Sequence, residues 1–205
     1  MTQVAVPTAR FVRWVDNFRT RHGDTAMHVH EGVLAGEAVD GSTFVACPPF
    51  DERYSGDPEA AAFASAIDPP ALWGVLLVRK GGFAVARLAG THIEEHKIGQ
   101  RHVQGRTKAG GQSQQRFARR RDNQARQAYE AAAEHAARIL GGVAMVVVTG
   151  GDHAAVDEVL GDPRLVRLVV ARPWLAVPDP RRAVLDAAIA EALAVQVEVV
   201  NAEGR

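Results

Sequence analysis

The chain has 205 residues, a single cysteine and no formal net charge. This length suits one domain with room for an extension, and the 47% share of hydrophobic residues is that of a globular protein with a buried core. One cysteine excludes an intramolecular disulfide and a cysteine-based zinc finger. Because the net charge is zero, any signal for nucleic-acid binding must come from local clusters of basic residues.

The N-terminal residues lack the apolar core of a secretory signal, since Arg10, Arg13 and Asp16 interrupt them. The longest apolar run, residues 143–148, is too short to cross a bilayer. We therefore expect a soluble, cytoplasmic protein without a membrane partner.

Residues 1–70 are predicted to form an N-terminal elaboration that contains a helix and a small hairpin. Apolar residues recur at helical spacing over residues 8–22, and a glycine follows as a stop signal. Strands are expected over residues 29–35 and 43–46, on either side of the turn Asp40-Gly41.

A short helix is expected over residues 58–67, with Asp57 as its N-cap and Pro58 at its first position. The sequence Asp68-Pro69-Pro70 ends that helix, because proline cannot continue one. We place the domain boundary there, which leaves residues 71–205 as the second domain.

The second domain begins with three strands, predicted over residues 73–80, 83–88 and 93–103. Gly81-Gly82 separates the first two and predicts a hairpin turn. A loop is expected over residues 105–111. One long helix follows over residues 113–140, with Ser113 as its cap and two glycines after its end.

The rest of the chain alternates strands with helices. Strands are predicted over residues 143–149, 165–170 and 195–200, and helices over residues 152–160 and 180–194. Three consecutive strands followed by this alternation predict a mixed β-sheet flanked by helices. The expected fold class is therefore α/β (α+β), with a ribonuclease-H-like layout and an N-terminal helix and strand elaboration.

Residues 97–126 form a strongly basic segment in this neutral chain, with nine lysines and arginines and one acid. Arg116, Arg119 and Arg120 stand at i, i+3 and i+4, so they share a face of the predicted helix. Such a face can bind phosphates, with an affinity that falls as salt is added. A solvated helix face is the alternative. The candidate nucleic-acid-binding residues are Lys108, Arg106, Arg116, Arg119, Arg120 and Arg121.

The segment Lys108-Ala109-Gly110-Gly111-Gln112-Ser113 contains no apolar residue larger than alanine. Two adjacent glycines reach backbone angles closed to other residues and let the backbone approach a ligand closely. A glycine-rich loop that runs into a helix also offers free N–H groups to an anion. The tripeptide Gly110-Gly111-Gln112 is a weak signal alone, and a plain surface loop is the alternative.

The wider string resembles a known catalytic segment. Gly110-Gly111-Gln112-Ser113, then Arg116-Phe117-Ala118-Arg119, then Arg121, closely resembles the Gly-Gly-Gln segment of the catalytic middle domain of eukaryotic and archaeal class I release factors. With the topology of residues 72–200, the chain is most similar to the actinobacterial Vms-like release-factor family. The resemblance does not explain residues 1–70.

The resemblance implies a peptidyl-tRNA hydrolase, which cleaves the ester between a nascent peptide and tRNA. Gly110 and Gly111 would shape the loop in the peptidyl transferase centre. Gln112 would place the attacking water and stabilise the transition state, largely through its backbone N–H. The basic residues would bind ribosomal RNA, so the partners are the large ribosomal subunit and peptidyl-tRNA. No metal or cofactor is implied, and we expect a monomer.

Other readings of the sequence stay open. A stop-codon-reading domain and a partner-binding domain do not fit beside the middle domain in 205 residues, which favours codon-independent rescue of stalled ribosomes over normal termination. The chain is alternatively an endonuclease that cuts tRNA near its acceptor end, or a non-catalytic factor that binds the ribosome or RNA. Gln114 and Gln115 stand close enough to compete with Gln112 for the active role.

Two metal-dependent chemistries fit the sequence poorly. His92-Ile93-Glu94-Glu95-His96 matches a zinc-peptidase pattern that requires a helix, whereas a strand is predicted, which would separate the two histidines by about 13 Å. The first strand of the predicted sheet lacks the carboxylates with which a ribonuclease-H-type nuclease binds two metals. Asp152 is predicted to be a helix N-cap instead.

Overall fold

The computed structural model describes residues 1–100 and 112–202, with side chains described for residues 1–99 and 126–202. This part of the chain divides into two compact units. The first comprises Met1–Pro69 and the segment from Ala190 onwards, and the second comprises Pro70–Ile189. None of the described helices combines the length and apolarity needed to cross a membrane.

The described residues contain the following strands and α-helices. The strands are β1 (Thr2–Val6), β2 (Thr25–His30), β3 (Val33–Ala38), β4 (Thr43–Cys47), β5 (Trp73–Arg79), β6 (Gly82–Ala89), β7 (His92–Gln100), β8 (Met145–Gly151), β9 (Leu168–Leu175) and β10 (Val195–Val200). The α-helices are α1 (Phe11–His22), α2 (Ala60–Ser65), α3 (Gln112–Leu140), α4 (His153–Leu160) and α5 (Arg182–Ala192).

The sheet of the first unit has the strand order β1-β10-β4-β3-β2, and all neighbours are antiparallel. The last strand of the chain is therefore internal to this sheet, with Val195 opposite Val6 on one side and Val197 opposite Ala46 on the other. The prediction placed residues 195–200 in the second domain, whereas in the structure they pair with strands of the first unit. Alternating valines predict a half-buried strand but do not specify its partner.

Aromatic side chains pack α1 and α2 against one face of this sheet. Phe18 of α1 meets Phe44 of β4 edge to face, with ring centroids 5.1 Å apart. Phe11 of α1 meets Phe63 of α2 at 5.0 Å. Gly36 of β3 leaves room for the ring of Phe44, which a Cβ at that position would overlap. The helix predicted over residues 8–22 is confirmed, with its first three residues in a 3-10 turn.

The single strand predicted over residues 29–35 is wrong, because it consists of parts of two strands. The two-residue turn Glu31-Gly32 joins β2 to β3, and both turn residues have positive φ, 51° and 89°. This is the backbone of a type I′ turn, for which Asn-Gly is the favoured sequence. A glutamate at the first position concealed the turn. The turn predicted at Asp40-Gly41 is confirmed between β3 and β4.

The short helix predicted over residues 58–67 is confirmed in shorter form as α2, but its predicted cap is wrong. Glu59 occupies the N-cap position, without a side-chain hydrogen bond. The carbonyl of Asp57 accepts hydrogen bonds from the Tyr54 hydroxyl and the Glu59 amide, each at 2.7 Å. These bonds hold residue 57 in a turn ahead of the helix. β1 was not predicted. Val6 is its one buried residue, so the strand has no alternation of buried and exposed positions.

The sheet of the second unit has the strand order β7-β6-β5-β8-β9. β5, β6 and β7 form an antiparallel meander, and β8 and β9 join parallel to β5. Counted within the unit, the strand order is 3-2-1-4-5. The predicted mixed sheet and its ribonuclease-H-like layout are therefore confirmed. β5 is buried along nearly its whole length, as expected of an apolar central strand covered on both faces.

The predicted elements of the second unit mostly end within two residues of the observed ones. The hairpin turn falls on Lys80-Gly81, because Gly82 already pairs with Arg79. The strand predicted over residues 165–170 begins three residues later as β9. Asp162 accounts for this shift, since its side chain accepts a hydrogen bond from the Arg164 amide at 2.9 Å and caps a 3-10 turn before the strand.

Candidate active site

The predicted catalytic loop connects β7 to α3. Four predicted site residues lie outside the described part of the chain: Arg106, Lys108, Gly110 and Gly111. Gln112 is the first residue of α3, so the helix begins one residue before its predicted start at residue 113. Ser113 accordingly lies inside the first turn of α3, and its prediction as the N-cap is wrong.

The backbone of α3 determines where the predicted arginines stand around the helix. At 100° per residue, Gln112, Arg116, Arg119 and Arg120 occupy positions within an arc of about 100°. The same arc contains three residues of the C-terminal half whose side chains are exposed, Glu130, Glu134 and Arg138. The predicted common face of the arginines is thus in line with the exposed face of the helix.

Arg121 stands on the opposite side of α3 from that arc. It precedes Ala128 by seven residues and Ala132 by eleven, and both spacings return to the same side of an α-helix. Ala128 and Ala132 are buried. Among the predicted RNA-binding residues of α3, Arg121 is therefore the one in line with the buried stripe.

Charge is distributed unevenly along α3. Residues 112–126 contain five arginines and one acid, whereas residues 127–140 contain two glutamates and one arginine. Basic residues near the N-terminus do not complement the positive end of a helix dipole. Their concentration there favours an anionic partner over a role in stabilising the helix.

The C-terminal half of α3 packs on the sheet of the second unit. Ala132, Ala136 and Ile139 are fully buried in one apolar cluster with residues of β5, β6 and β8. Gly74 of β5 lies beneath Leu140, where a Cβ would come within 2.7 Å of the leucine side chain. The helix is therefore anchored at the end remote from Gln112.

A charged network ties the last turn of α3 to β6 and β7. Arg87 of β6 donates to the Ile139 carbonyl at 2.9 Å and to Glu94 Oε2 at 3.0 Å. Glu95 Oε2 lies 3.7 Å from Arg87, and Glu95 also binds Arg138 of α3. Both glutamates reach Arg87 because a bulge shifts the pairing of β6 with β7 there. The sequence contains these charges but gives no sign of their partners, so sequence reasoning missed the network.

Arg164 makes a second polar tie to α3. Its Nη1 donates to Glu134 Oε2 at 2.9 Å, and its Nη2 donates to Asp162 Oδ2 at 2.8 Å. The side-chain hydrogen bonds from Arg164 lower the pKa of Asp162 to about 2, so this carboxylate is charged throughout the physiological range. Ion pairs this exposed are screened by solvent and add little to stability. The tie therefore adds more to the orientation of the helix than to stability.

His135 of α3 packs against the sheet close to these networks. Its ring stacks on Phe83 of β6, with centroids 5.5 Å apart and planes inclined by 28°. Its Nδ1 is buried and has no hydrogen-bond partner among the described residues. Burial first, and then the positive charges of Lys97 and Arg138, lower the pKa of His135. The imidazole is therefore kept neutral at the base of the helix.

His92, His96 and Asp152 lie in the strand and at the helix start that were predicted for them. His92 and His96 both lie on β7, and His96 Nε2 is 3.3 Å from Arg182 Nη1. Within residues 1–100 and 112–202, no group of three or more histidine, cysteine, aspartate or glutamate side chains is arranged to hold a metal ion. Asp152 stands at the N-cap of α4, although its side chain makes no capping hydrogen bond.

Residues 71–198 match the model of a protein family described as the Actinobacteria/chloroflexi VLRF1 release factor. This match covers more than half of the chain and includes the whole of α3. The chain belongs to this release-factor family. No curated protein matches the chain.

Membership of the VLRF1 family confirms the predicted resemblance to Vms-like release factors. It gives the chain a function of the translation release-factor type, and it implies interaction with the ribosome. The matched segment begins at residue 71, next to the division between the two units, and ends within β10. The helices and strands of residues 1–70 lie outside it.

Proposed function

We propose that this chain is a ribosome-dependent peptidyl-tRNA hydrolase that releases nascent peptides from stalled ribosomes or large subunits. One observation carries the proposal: Gln112, which follows Gly110-Gly111 in the sequence, is the first residue of a 29-residue helix. The first N–H groups of a helix have no intrahelical acceptor. Together with the positive end of the helix dipole, they suit a developing oxyanion.

Hydrolysis of the ester places negative charge on the carbonyl oxygen. In the proposed reaction, water attacks the carbonyl carbon, the backbone N–H of Gln112 donates to the oxyanion, and the tRNA ribose oxygen leaves with a proton. Glutamine is a poor general base, so the proton of the water passes to the substrate ribose hydroxyl or to ribosomal RNA. The side chain of Gln112 excludes nucleophiles larger than water, and Gly110 and Gly111 keep the loop narrow.

The basic residues around this segment bind ribosomal RNA in the proposed complex. Phosphate contacts by arginine position a protein on RNA without specifying sequence. The residues assigned to this role are Arg106, Lys108, Arg116, Arg119, Arg120 and Arg121. Because Gln112 brings no base of its own, the reaction requires the large subunit as well as peptidyl-tRNA.

Release is proposed to be independent of the codon in the decoding site. All predicted site residues fall between residues 106 and 121, and all of them are assigned to the peptidyl end of the tRNA or to the RNA around it. Complexes stalled on a sense codon and complexes stalled on a stop codon should therefore release labelled peptide at the same rate. A strong preference for stop codons would contradict codon-independent rescue.

The first test is Gln112→Ala in the purified protein. This change keeps the backbone N–H but removes the side chain that borders the attacking water, and poor placement of the water should lower peptide release by at least about a hundred-fold. Gly111→Ala should act similarly, because a methyl group widens the loop. Ribosome binding, measured by co-sedimentation, should stay within about two-fold, because the arginines are unchanged.

Gln114→Ala and Gln115→Ala are the matched controls, since each removes the same amide within one turn of Gln112. Both should release peptide at the rate of the unchanged protein. If Gln112→Ala also releases peptide at that rate, the proposal fails. If one of the controls loses release instead, the active glutamine has been misassigned.

Gel analysis of the tRNA separates the proposal from its two alternatives. Ester hydrolysis leaves a full-length deacylated tRNA, whereas an endonuclease leaves a tRNA shortened at its acceptor end. A non-catalytic factor binds the ribosome and yields neither product. Shortened tRNA, or tight binding without any release, would therefore replace the hydrolase proposal.

A further inference from the structure

The two elements that flank the predicted catalytic loop are joined to each other near the end of α3 that is remote from the loop. β7 leads into the loop and α3 leads out of it. Glu95 of β7 binds Arg138 of α3, and Arg87 of the neighbouring strand donates to the Ile139 carbonyl at 2.9 Å. That carbonyl is in the last turn of α3, where helix carbonyls lack intrahelical partners. The tie therefore joins the strand before the loop to the end of the helix after it.

The apolar contacts of α3 anchor its C-terminal half, and the tie adds directional contacts to them. Ala128, Ala132 and Ala136 supply much of its buried stripe. Alanine gives a helix low ridges, which interlock weakly with the neighbouring strands. Hydrogen bonds from a guanidinium group to a carboxylate or a carbonyl are directional. The side chains of Arg87 and Glu95 are 29% and 33% exposed, so their interactions are screened less than those of a fully exposed pair.

Because α3 is long, a small tilt at its C-terminal end displaces its N-terminal end by a much larger distance. Arg138 and Gln112 are 26 residues apart, which corresponds to about 39 Å of helix. A tilt of about 5° at Arg138 would move the start of the helix by roughly 3 Å. A misplacement of about 1 Å can lower the rate of a positioned reaction a hundred-fold. The direction of α3 is thus as important to the proposed reaction as the sequence of its first turn.

We infer that Arg87, Glu95 and Arg138 form a positioning clamp that aims α3, and with it the amide of Gln112, at the peptidyl-tRNA ester. This inference rests on the proposed function. The three residues lie far from the reacting atoms, so they are positioning residues and not catalytic ones. Their effect should appear in kcat and in the direction of the helix, and not in the affinity for ribosomal RNA.

The test is Glu95→Gln, which keeps the shape of the side chain and removes its charge. Nitroxide labels at Q115C on α3 and V166C on the second unit, in a Cys47→Ser background, report the direction of the helix by electron–electron distance measurement. We expect the distance distribution to broaden or shift by about 3 Å. In release assays kcat should fall by roughly ten-fold or more, while KM for the ribosomal complex stays within about two-fold.

Asp186→Asn is the control, because it removes one carboxylate charge from an ion pair with Arg182 (2.9 Å) that belongs to α5 and not to α3. It should change neither the distances nor kcat. Arg138→Gln should also lower kcat, because it removes the pair with Glu95. The double variant should be no worse than Glu95→Gln alone, which removes that pair together with the contact to Arg87. Arg138→Gln also serves as the test if Glu95→Gln does not fold.

Two results would overturn the clamp. One is a distance distribution in Glu95→Gln that superposes on that of the parent, and the other is a broadened distribution with unchanged kcat. If the unchanged protein releases no peptide at all, the proposed function fails independently. The spin-label distances then decide by themselves whether Arg87, Glu95 and Arg138 direct the helix.

Discussion

His135 places a titratable group at the base of the longest helix, where neither of its protonation states is fully satisfied. When neutral it leaves Nδ1 buried without a partner, and when protonated it lies near the positive charges of Lys97 and Arg138. A buried nitrogen without a hydrogen bond costs about 1–3 kcal/mol. The compensating contact is the stack on Phe83.

The lowered pKa of His135 makes stability depend on pH. The unfolded chain binds a proton at this residue as the pH falls through about 6.5, whereas the folded protein resists protonation until a lower pH. The fold is therefore destabilised progressively below pH 6.5, by at most about 1.4 kcal/mol per pH unit for one proton. Above about pH 7.5 the residue is neutral in both states and has no effect on the pH dependence.

His135→Phe should remove this contribution and keep the stack on Phe83. Urea unfolding at about pH 7.5 and pH 5.5 should show a variant that is more stable relative to the unchanged protein at the lower pH. His28→Gln, on an exposed histidine of β2, is the control and should leave the difference between the two pH values unchanged. Parallel pH profiles for His135→Phe and the unchanged protein would contradict this account.

At the scale of the element, the two halves of α3 differ. The C-terminal half packs on the sheet, and the N-terminal half contains five arginines. The periodicity of its backbone assigns the predicted arginines to different sides. Arg119 and Arg120 are in line with the exposed face, and Arg121 is in line with the buried stripe. If the helix binds RNA along its exposed face, these residues should not contribute equally.

Arg119→Gln and Arg120→Gln should weaken ribosome binding, and each should reduce the slope of log affinity against log salt by roughly 0.7–0.9, the value for one lost phosphate contact. Arg121→Gln removes the same charge from the same helix and should change the slope less. Binding is measured by co-sedimentation over a range of salt concentrations. Equal slopes for all three variants would show that position around the helix does not determine RNA contact.

At the scale of the molecule, β10 belongs to the same sheet as β1–β4, although more than a hundred residues of the second unit separate it from them in sequence. β10 lies between β1 and β4, so β1 has β10 as its sheet neighbour. Val195 and Val197 of β10 are fully buried in the core of the first unit. Burying a valine side chain contributes roughly 1.5–3 kcal/mol. These two residues together are a substantial fraction of the 5–15 kcal/mol typical of domain stability.

A chain that ends at Ala194 should therefore lose the first unit while keeping the sheet of the second. Amide hydrogen exchange should show β1 and α1 unprotected, and β5 and β8 still protected. A chain that ends at Ala202 keeps β10 intact and is the control. Retained protection of β1 in the shorter chain would contradict the topology described here.

The sequence alone determined the elements whose signals are local. The 3.6-residue period gave α1, the apolar runs gave β5 and β8, and glycines marked the ends of α1 and α3. Gly110-Gly111-Gln112 and the arginines after it were sufficient to predict the family, because a motif is a string of neighbours. The strand that contains His92 and His96 was predicted from equally local signals.

The tertiary structure alone decided which elements become partners. β10 has the alternation of any half-buried strand, and its place between β1 and β4 depends on contacts nearly two hundred residues apart. The bonds that tie Arg87 and Glu95 to the end of α3 also join residues that are remote in sequence. Hydrophobic periodicity indicates which side chains of a single segment are buried and which are exposed. Pairing depends on the free energy of two surfaces meeting, and that property belongs to neither segment alone.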